Sequence, residues 1–108
     1  MIMKKYNVIT LCGSARFKDA FQKAQIDLTL EGNIVISLGV FNEDLDNIDE
    51  AKIEMLGDMH MRKIDMCNEI FVINVGGYIG SSTKSEIEYA KSIGKPVRYL
   101  EEVQHCEI

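Results

Sequence analysis

Short apolar runs alternate along this chain with segments in which apolar residues recur every three or four positions. The run from Tyr6 to Leu11 is rich in β-branched residues and ends in the turn residues Cys12-Gly13-Ser14, a pattern typical of a buried strand. Similar runs predict three further strands, at Asn33 to Ser37, Ile70 to Val75 and Val97 to Leu100.

The segments between the strands have the spacing of amphipathic helices. The first is predicted from Ser14 to a stop at Gly32, the second lies between Asp49 and Cys67, and the third ends at Gly94-Lys95-Pro96. The apolar stripe of the second helix consists of Ile53, Leu56, His60, Ile64 and Cys67. This position favours a core or interface role for His60 over a catalytic one.

Strands that alternate with helices predict a parallel sheet wound by right-handed crossovers. The expected fold is α/β and flavodoxin-like, with three αβα layers and four or five parallel strands in the order 2-1-3-4, a fifth strand being absent or vestigial. In this order, ligands bind at the C-terminal ends of the first and third strands. The acidic loop from Asn42 to Glu50 is expected either to cover a site or to be mobile.

Composition and charge narrow the class of protein. The 108 residues are predicted to form one domain, 1–108, and a net charge of −5 argues against a nucleic-acid polymer as partner. No apolar run reaches the roughly 18 residues that span a bilayer, and no secretory signal is recognisable, so a cytoplasmic protein without a membrane partner is expected. Cys12, Cys67 and Cys106 lack the spacing of a disulfide framework or a zinc site, and free thiols are predicted.

Two loops carry candidate chemistry. In the first, Gly13, Ser14 and Arg16 place a flexible backbone, a hydroxyl and a guanidinium at a predicted helix N-terminus, which favours an anion such as phosphate. The alternative is that Ser14 only caps the helix and Arg16 is solvated. In the second loop, Thr83 and Glu86 match a capping box, whereas the functional alternative makes Glu86 a carboxylate nucleophile kept ionised by the helix dipole.

Three segments carry a resemblance to a known family: Leu11 to Arg16, Asn68 to Asn74, and Ser82 to Ala90 followed by Gly94-Lys95-Pro96-Val97. Together they resemble the nucleoside 2-deoxyribosyltransferase superfamily over nearly the whole chain. The start Cys-Gly-Ser-x-Arg is most similar to the 2'-deoxynucleoside 5'-phosphate N-hydrolase branch, in which this loop holds the 5'-phosphate.

The resemblance implies cleavage or transfer at the N-glycosidic bond of a nucleoside or its 5'-monophosphate. Glu86 would attack the anomeric carbon, and Asp58 is the candidate for assisting the leaving base, because the family's helper Asp corresponds to Met61. The expected substrate-binding residues are Gly13, Ser14, Arg16, Gly76, Gly80, Ser82 and Thr83, and no metal or organic cofactor is expected.

Two other classes of function stay open at this point. A non-catalytic module that senses or sequesters a nucleotide would use the same crevice, and a structural oligomer would use the second helix alone. Met55, Met59 and Met66 extend the apolar surface of that helix, and a symmetric homodimer or higher homo-oligomer is expected.

Overall fold

Parallel strands and helices alternate along residues 3–103, the part of the chain that the computed structural model describes. The strands are β1 (Val8–Gly13), β2 (Ile34–Ile36), β3 (Glu69–Ile73) and β4 (Val97–Tyr99). The α-helices are α1 (Lys18–Leu30), α2 (Glu50–Asp65) and α3 (Ser81–Ser92).

All strand pairs are parallel, and the sheet order is β2-β1-β3-β4. The predicted fold class and strand order are therefore confirmed. Within residues 3–103 there is no fifth strand, and a further edge segment formed by the last five residues would lie outside the described part.

The alternation of side chains along β1 divides the core into two layers. Ile9 and Leu11 pack with Phe21 and Leu28 of α1 on one face of the sheet. Cys12 joins the opposite cluster, which contains residues of both α2 and α3, namely Ile64, Ile87 and Ala90. This alternation places Cys12, the last residue before Gly13 in β1, against the two helices that carry His60 and Glu86.

Helix α1 begins four residues later than the sequence predicts. Phe17 is its N-cap residue and makes no capping hydrogen bond with its side chain. The Ser14 hydroxyl instead accepts hydrogen bonds from the backbone N–H and Nε of Arg16, at 3.3 and 3.1 Å. The phosphate-binding and the capping interpretations of this loop both place Ser14 and Arg16 at the helix N-terminus. Both are wrong on this point, because α1 begins at Lys18.

The surface of α2 differs in part from the predicted stripe. His60 and Ile64 are buried, but Ile53 is 55% exposed. Met55, Met59 and Met66 are between 41 and 67% exposed, so this helix presents apolar side chains to solvent. No helix within residues 3–103 is long and apolar enough to cross a bilayer.

Candidate functional site

A cavity of about 290 Å³ lies at the C-terminal end of β1, beside α2 and α3. Its polar lining includes His60, Ser82 and Glu86. Its apolar lining comes largely from the segment after β2 and from α2, and comprises Leu38, Val40, Leu45, Ile48, Ile53 and Leu56. The acidic loop thus contributes Leu45 and Ile48 to the cavity wall, which supports the first of its two predicted roles.

Gly13 forms part of the cavity wall and allows β1 and β3 to approach closely. A Cβ atom at this position would lie 2.9 Å from the carbonyl oxygen of Ile73. Such a distance is shorter than van der Waals contact, so a larger residue would force the strand ends apart. Gly13 is therefore required by the packing of the strands at the edge of the cavity, and its role in substrate binding stays a prediction.

Glu86 extends from the second turn of α3 rather than from its first turn. Gly80 is the N-cap residue of α3, and no side chain forms a capping hydrogen bond there. Thr83 and Glu86 therefore do not form a capping box. The Glu86 side chain is only 14% exposed, and its Oε1 atom is buried without a hydrogen-bond partner among the described residues. An unpaired buried carboxylate oxygen is costly for a fold, which favours a functional role over a structural one.

Burial raises the pKa of Glu86 to about 7, and interaction with the Cys12 thiol opposes this shift by a smaller amount. The expectation that the helix dipole keeps this carboxylate ionised is therefore wrong. Glu86 lies beyond the first turn, where the dipole acts most strongly, and desolvation dominates.

His60 lines the polar end of the cavity, and the fully buried Cys12 lies directly behind it. The Nε2 atom of His60 is 3.3 Å from Cys12 Sγ and 3.6 Å from Glu86 Oε1. Burial, aided by the positive charge of Lys63, lowers the pKa of His60 to about 4, so its imidazole is neutral at pH 7. Burial and the nearby Glu86 raise the pKa of the Cys12 thiol well above its usual value, so this thiol is protonated.

Asp58 lies outside this arrangement. Its side chain is 77% exposed, and Oδ1 is 3.9 Å from Nε of Arg62 one turn along α2. Asp58 and Met61 border an adjacent depression, which also contacts Glu86 and Ser82. The structure therefore brings Asp58 near the outer side of the site, but not into the cavity that Glu86 faces.

Arg16 is also absent from the lining of the cavity. Its guanidinium lies 4.5 Å from the ring centroid of Tyr78, and its Nη2 donates to the Tyr78 hydroxyl at 3.3 Å. With Phe17 and Val75, Arg16 borders a separate depression. The structure therefore does not place the predicted phosphate ligands, Arg16 and its partner Ser14, in the lining of the Glu86 cavity.

The remaining predicted residues outside the cavity lining, Gly76, Gly80 and Thr83, have structural positions in the loop before α3 and in its first turn. Gly76 has a positive φ of 63°, and its N–H donates to Oε2 of Glu101 at 2.8 Å. Gly80 caps α3, and Thr83 is buried in the first turn of that helix. Of the predicted substrate-binding residues, Gly13 and Ser82 line the cavity, whereas Gly76, Gly80 and Thr83 do not.

Sequence reasoning missed Cys12 and His60 as partners of Glu86. His60 is buried as predicted, but its apolar stripe gave no indication that its imidazole meets a carboxylate. The available signal was the strand period, which points Cys12 towards the face of the sheet covered by α2 and α3. That period assigns Cys12 to a face of the sheet, but it does not specify which side chains of α2 and α3 it meets there.

Comparison with protein-family models and with curated proteins finds no match to this chain. The resemblance to the nucleoside 2-deoxyribosyltransferase superfamily consequently stays a prediction from the residues that carry it. The cavity with Cys12, His60 and Glu86 is the feature on which a functional proposal can be built.

Proposed function

We propose that this protein is an enzyme that cleaves or transfers at the N-glycosidic bond of a nucleoside or its 5'-monophosphate, with Glu86 as nucleophile. The observation that carries this proposal is the Glu86 carboxylate, which faces a largely apolar cavity while its Oε1 atom has no hydrogen-bond partner among the described residues. A carboxylate oxygen without a hydrogen-bond partner is available for attack on an electrophilic carbon.

The reaction would proceed in two steps. In the first, a carboxylate oxygen of Glu86 bonds to the anomeric carbon, while the bond to the base nitrogen breaks and its electron pair leaves with the base. In the second, water or another base attacks the same carbon, the ester bond to Glu86 breaks and its electron pair returns to the carboxylate, and the proton lost by the attacking group balances the proton that the departed base takes up. This double displacement retains the configuration at the anomeric carbon.

The volume and lining of the cavity support a small substrate with an apolar part. Its volume of about 290 Å³ is at the lower end of the range for small-molecule sites, roughly 300–1,000 Å³. Leu38, Val40 and Leu45 offer an apolar wall that could pack against a nucleobase, while Glu86 and Ser82 offer polar groups for the sugar. The position of Arg16 outside the lining favours the unphosphorylated nucleoside.

A non-catalytic nucleoside-binding module is the second candidate. The position of Asp58 favours it, because this carboxylate is exposed and near Arg62 instead of lining the cavity. Glu86 is the one carboxylate among the described residues that lines the cavity. A binder would retain the pocket and its apolar wall without the means to protonate a leaving base.

Purified protein incubated with a panel of ribo- and deoxyribonucleosides, and with their 5'-monophosphates, separates these candidates. For the enzyme, chromatography should show released base, and mass spectrometry should show a sugar adduct on Glu86. Glu86→Gln should abolish both while retaining ligand binding, because it keeps the size of the side chain but removes its charge.

Glu88→Gln is the matched control, since Glu88 is exposed two residues further along α3. This variant should retain wild-type turnover. Binding detected by thermal shift, with no base release and no adduct, would support the binding module and exclude the catalytic proposal. If a Met61→Asp variant then acquires hydrolysis, the absence of the helper carboxylate is the reason that the wild-type protein releases no base.

A further inference from the structure

The side chains of Cys12, His60 and Glu86 bring a sulfur, a nitrogen and a carboxylate oxygen together beside the cavity. These three ligand atoms all lie within 4.8 Å of one another. Each comes from a different element, β1, α2 and α3 respectively, so the cluster exists only in the folded chain. His60 and Glu86 line the cavity, which provides a route from solvent.

Two of the three separations within the cluster agree with those around a tetrahedral Zn²⁺ ion, and the third, between Cys12 and Glu86, is within 4.8 Å. Typical Zn–S, Zn–N and Zn–O bonds of about 2.3, 2.0 and 2.1 Å imply about 3.5 Å between sulfur and nitrogen and about 3.4 Å between nitrogen and oxygen. The corresponding distances from His60 Nε2 are 3.3 Å to Cys12 Sγ and 3.6 Å to Glu86 Oε1. Small side-chain adjustments would therefore suffice for coordination.

The donor set also indicates the class of ion. A thiolate and an imidazole favour Zn²⁺ and related transition metals, whereas Mg²⁺ and Ca²⁺ prefer oxygen ligands. On binding, the Cys12 thiol and any protonated Glu86 would release their protons to solvent, and the resulting thiolate and carboxylate would balance the charge of a divalent ion, with a neutral His60. The ion would also provide Glu86 Oε1 with the partner that it lacks among the described residues.

We propose that Cys12, His60 and Glu86 bind one Zn²⁺ ion, with the fourth coordination position open to the cavity, and that the bound ion blocks Glu86 as a nucleophile. The first part of this proposal stands on the geometry of the cluster alone. The second part rests on the proposed function, because inhibition requires that Glu86 attacks a substrate. Zn²⁺ would thus act as a reversible inhibitor at the site itself.

The binding is tested with Co²⁺ as a spectroscopic substitute and with Zn²⁺ in competition with a chromophoric chelator. Full-length protein freed of metal should bind one equivalent and show thiolate-to-cobalt absorption in the near ultraviolet. Cys12→Ser should remove this absorption, and His60→Gln and Glu86→Gln should each weaken Zn²⁺ binding by at least about 100-fold. If Cys12→Ser does not fold, the chelator assay on Glu86→Gln decides the question.

The chain offers two matched controls. Cys67 is also buried, but its thiol donates to the carbonyl oxygen of Ile64, so Cys67→Ser should retain the full absorption. A His105→Gln, Cys106→Ser double variant removes the other His and Cys of the sequence and should likewise retain one equivalent of metal. Binding that is lost in the double variant, or kept in Cys12→Ser and Glu86→Gln, would overturn the proposed site.

Activity measured with and without Zn²⁺ separates this proposal from the proposed function. Base release by the metal-free protein that falls as Zn²⁺ saturates the site supports both. If the protein binds metal but releases no base, either in the presence or in the absence of a chelator, the metal site is supported. The proposed catalytic function and its inhibition by Zn²⁺ are then overturned. Base release without metal binding supports the enzyme and overturns the metal site, and base release unchanged by bound Zn²⁺ overturns the inhibition.

Discussion

The Glu86 carboxylate meets the His60 imidazole with 3.6 Å between Oε1 and Nε2, and both side chains are largely withdrawn from solvent. The distance is that of an ion pair, but the shifts in pKa of both groups oppose one. Burial raises the pKa of Glu86 to about 7 and lowers that of His60 to about 4, so each group favours its uncharged form. Two neutral partners therefore occupy the polar end of the cavity between these pH values.

The first prediction concerns stability and pH in the metal-free protein. Because the pKa of Glu86 rises on folding from 4.5 to about 7, its stabilising contribution is complete below pH 4.5 and is lost as pH rises through 7. Wild type should therefore lose on the order of 3 kcal/mol relative to Glu86→Gln between pH 4.5 and pH 8. Denaturant unfolding at several pH values measures this difference, and a pH-independent difference would contradict the raised pKa.

The second prediction concerns turnover and follows from the proposed function. A nucleophilic Glu86 must be ionised, so base release in a metal-free buffer should increase as pH rises through about 7. His60, with a pKa near 4, stays neutral over this range and should add no second transition. Initial rates between pH 5 and 9 provide the test, and activity that declines above pH 6 would argue against an ionised nucleophile.

Phosphate recognition gives a third prediction. Arg16 stacks on Tyr78 outside the cavity lining, so Arg16→Ala should leave the ratio of nucleoside to 5'-monophosphate affinity within about twofold of wild type. Calorimetry with both ligands measures the ratio. A selective loss of about 1.5–3 kcal/mol for the monophosphate would instead show that the guanidinium binds the phosphate.

The fourth prediction concerns self-association through α2, where Met55 and Met59 are exposed on one face of the helix. If this face forms a symmetric interface, wild type should sediment as a dimer at micromolar concentration, and Met59→Glu should sediment as a monomer. Gln22→Glu adds the same charge at an exposed position of α1 and should remain dimeric. A monomeric wild type would contradict the predicted dimer.

The fifth prediction concerns the contact between β1 and β3. Gly13→Ala should destabilise the fold by about 1–3 kcal/mol, because the new Cβ would lie 2.9 Å from the Ile73 carbonyl oxygen. Gly57→Ala is the control, since no atom lies within 4 Å of its added Cβ and the residue is in the middle of α2. That change should stabilise by about 0.5–1 kcal/mol through helix propensity.

The sequence alone determined the layers, the strand order and the approximate place of the site. Apolar runs separated by helical stripes are local patterns, and the handedness of parallel crossovers leaves few arrangements for them. For this reason the order β2-β1-β3-β4 and the position of Gly13, Ser82 and Glu86 at the cavity could be predicted. Helix starts were less accurate, because the Ser14 hydroxyl bonds to Arg16 within a turn that precedes α1.

Only the tertiary structure decided which side chains meet at the site and in which protonation state. The cluster of Cys12, His60 and Glu86 joins positions 48 and 26 residues apart in the chain, and its members lie within 4.8 Å because three elements pack around one point. The pKa of Glu86 likewise depends on how much solvent the neighbouring elements exclude. Proximity and desolvation are properties of the packed chain, so no local pattern in the sequence could specify them.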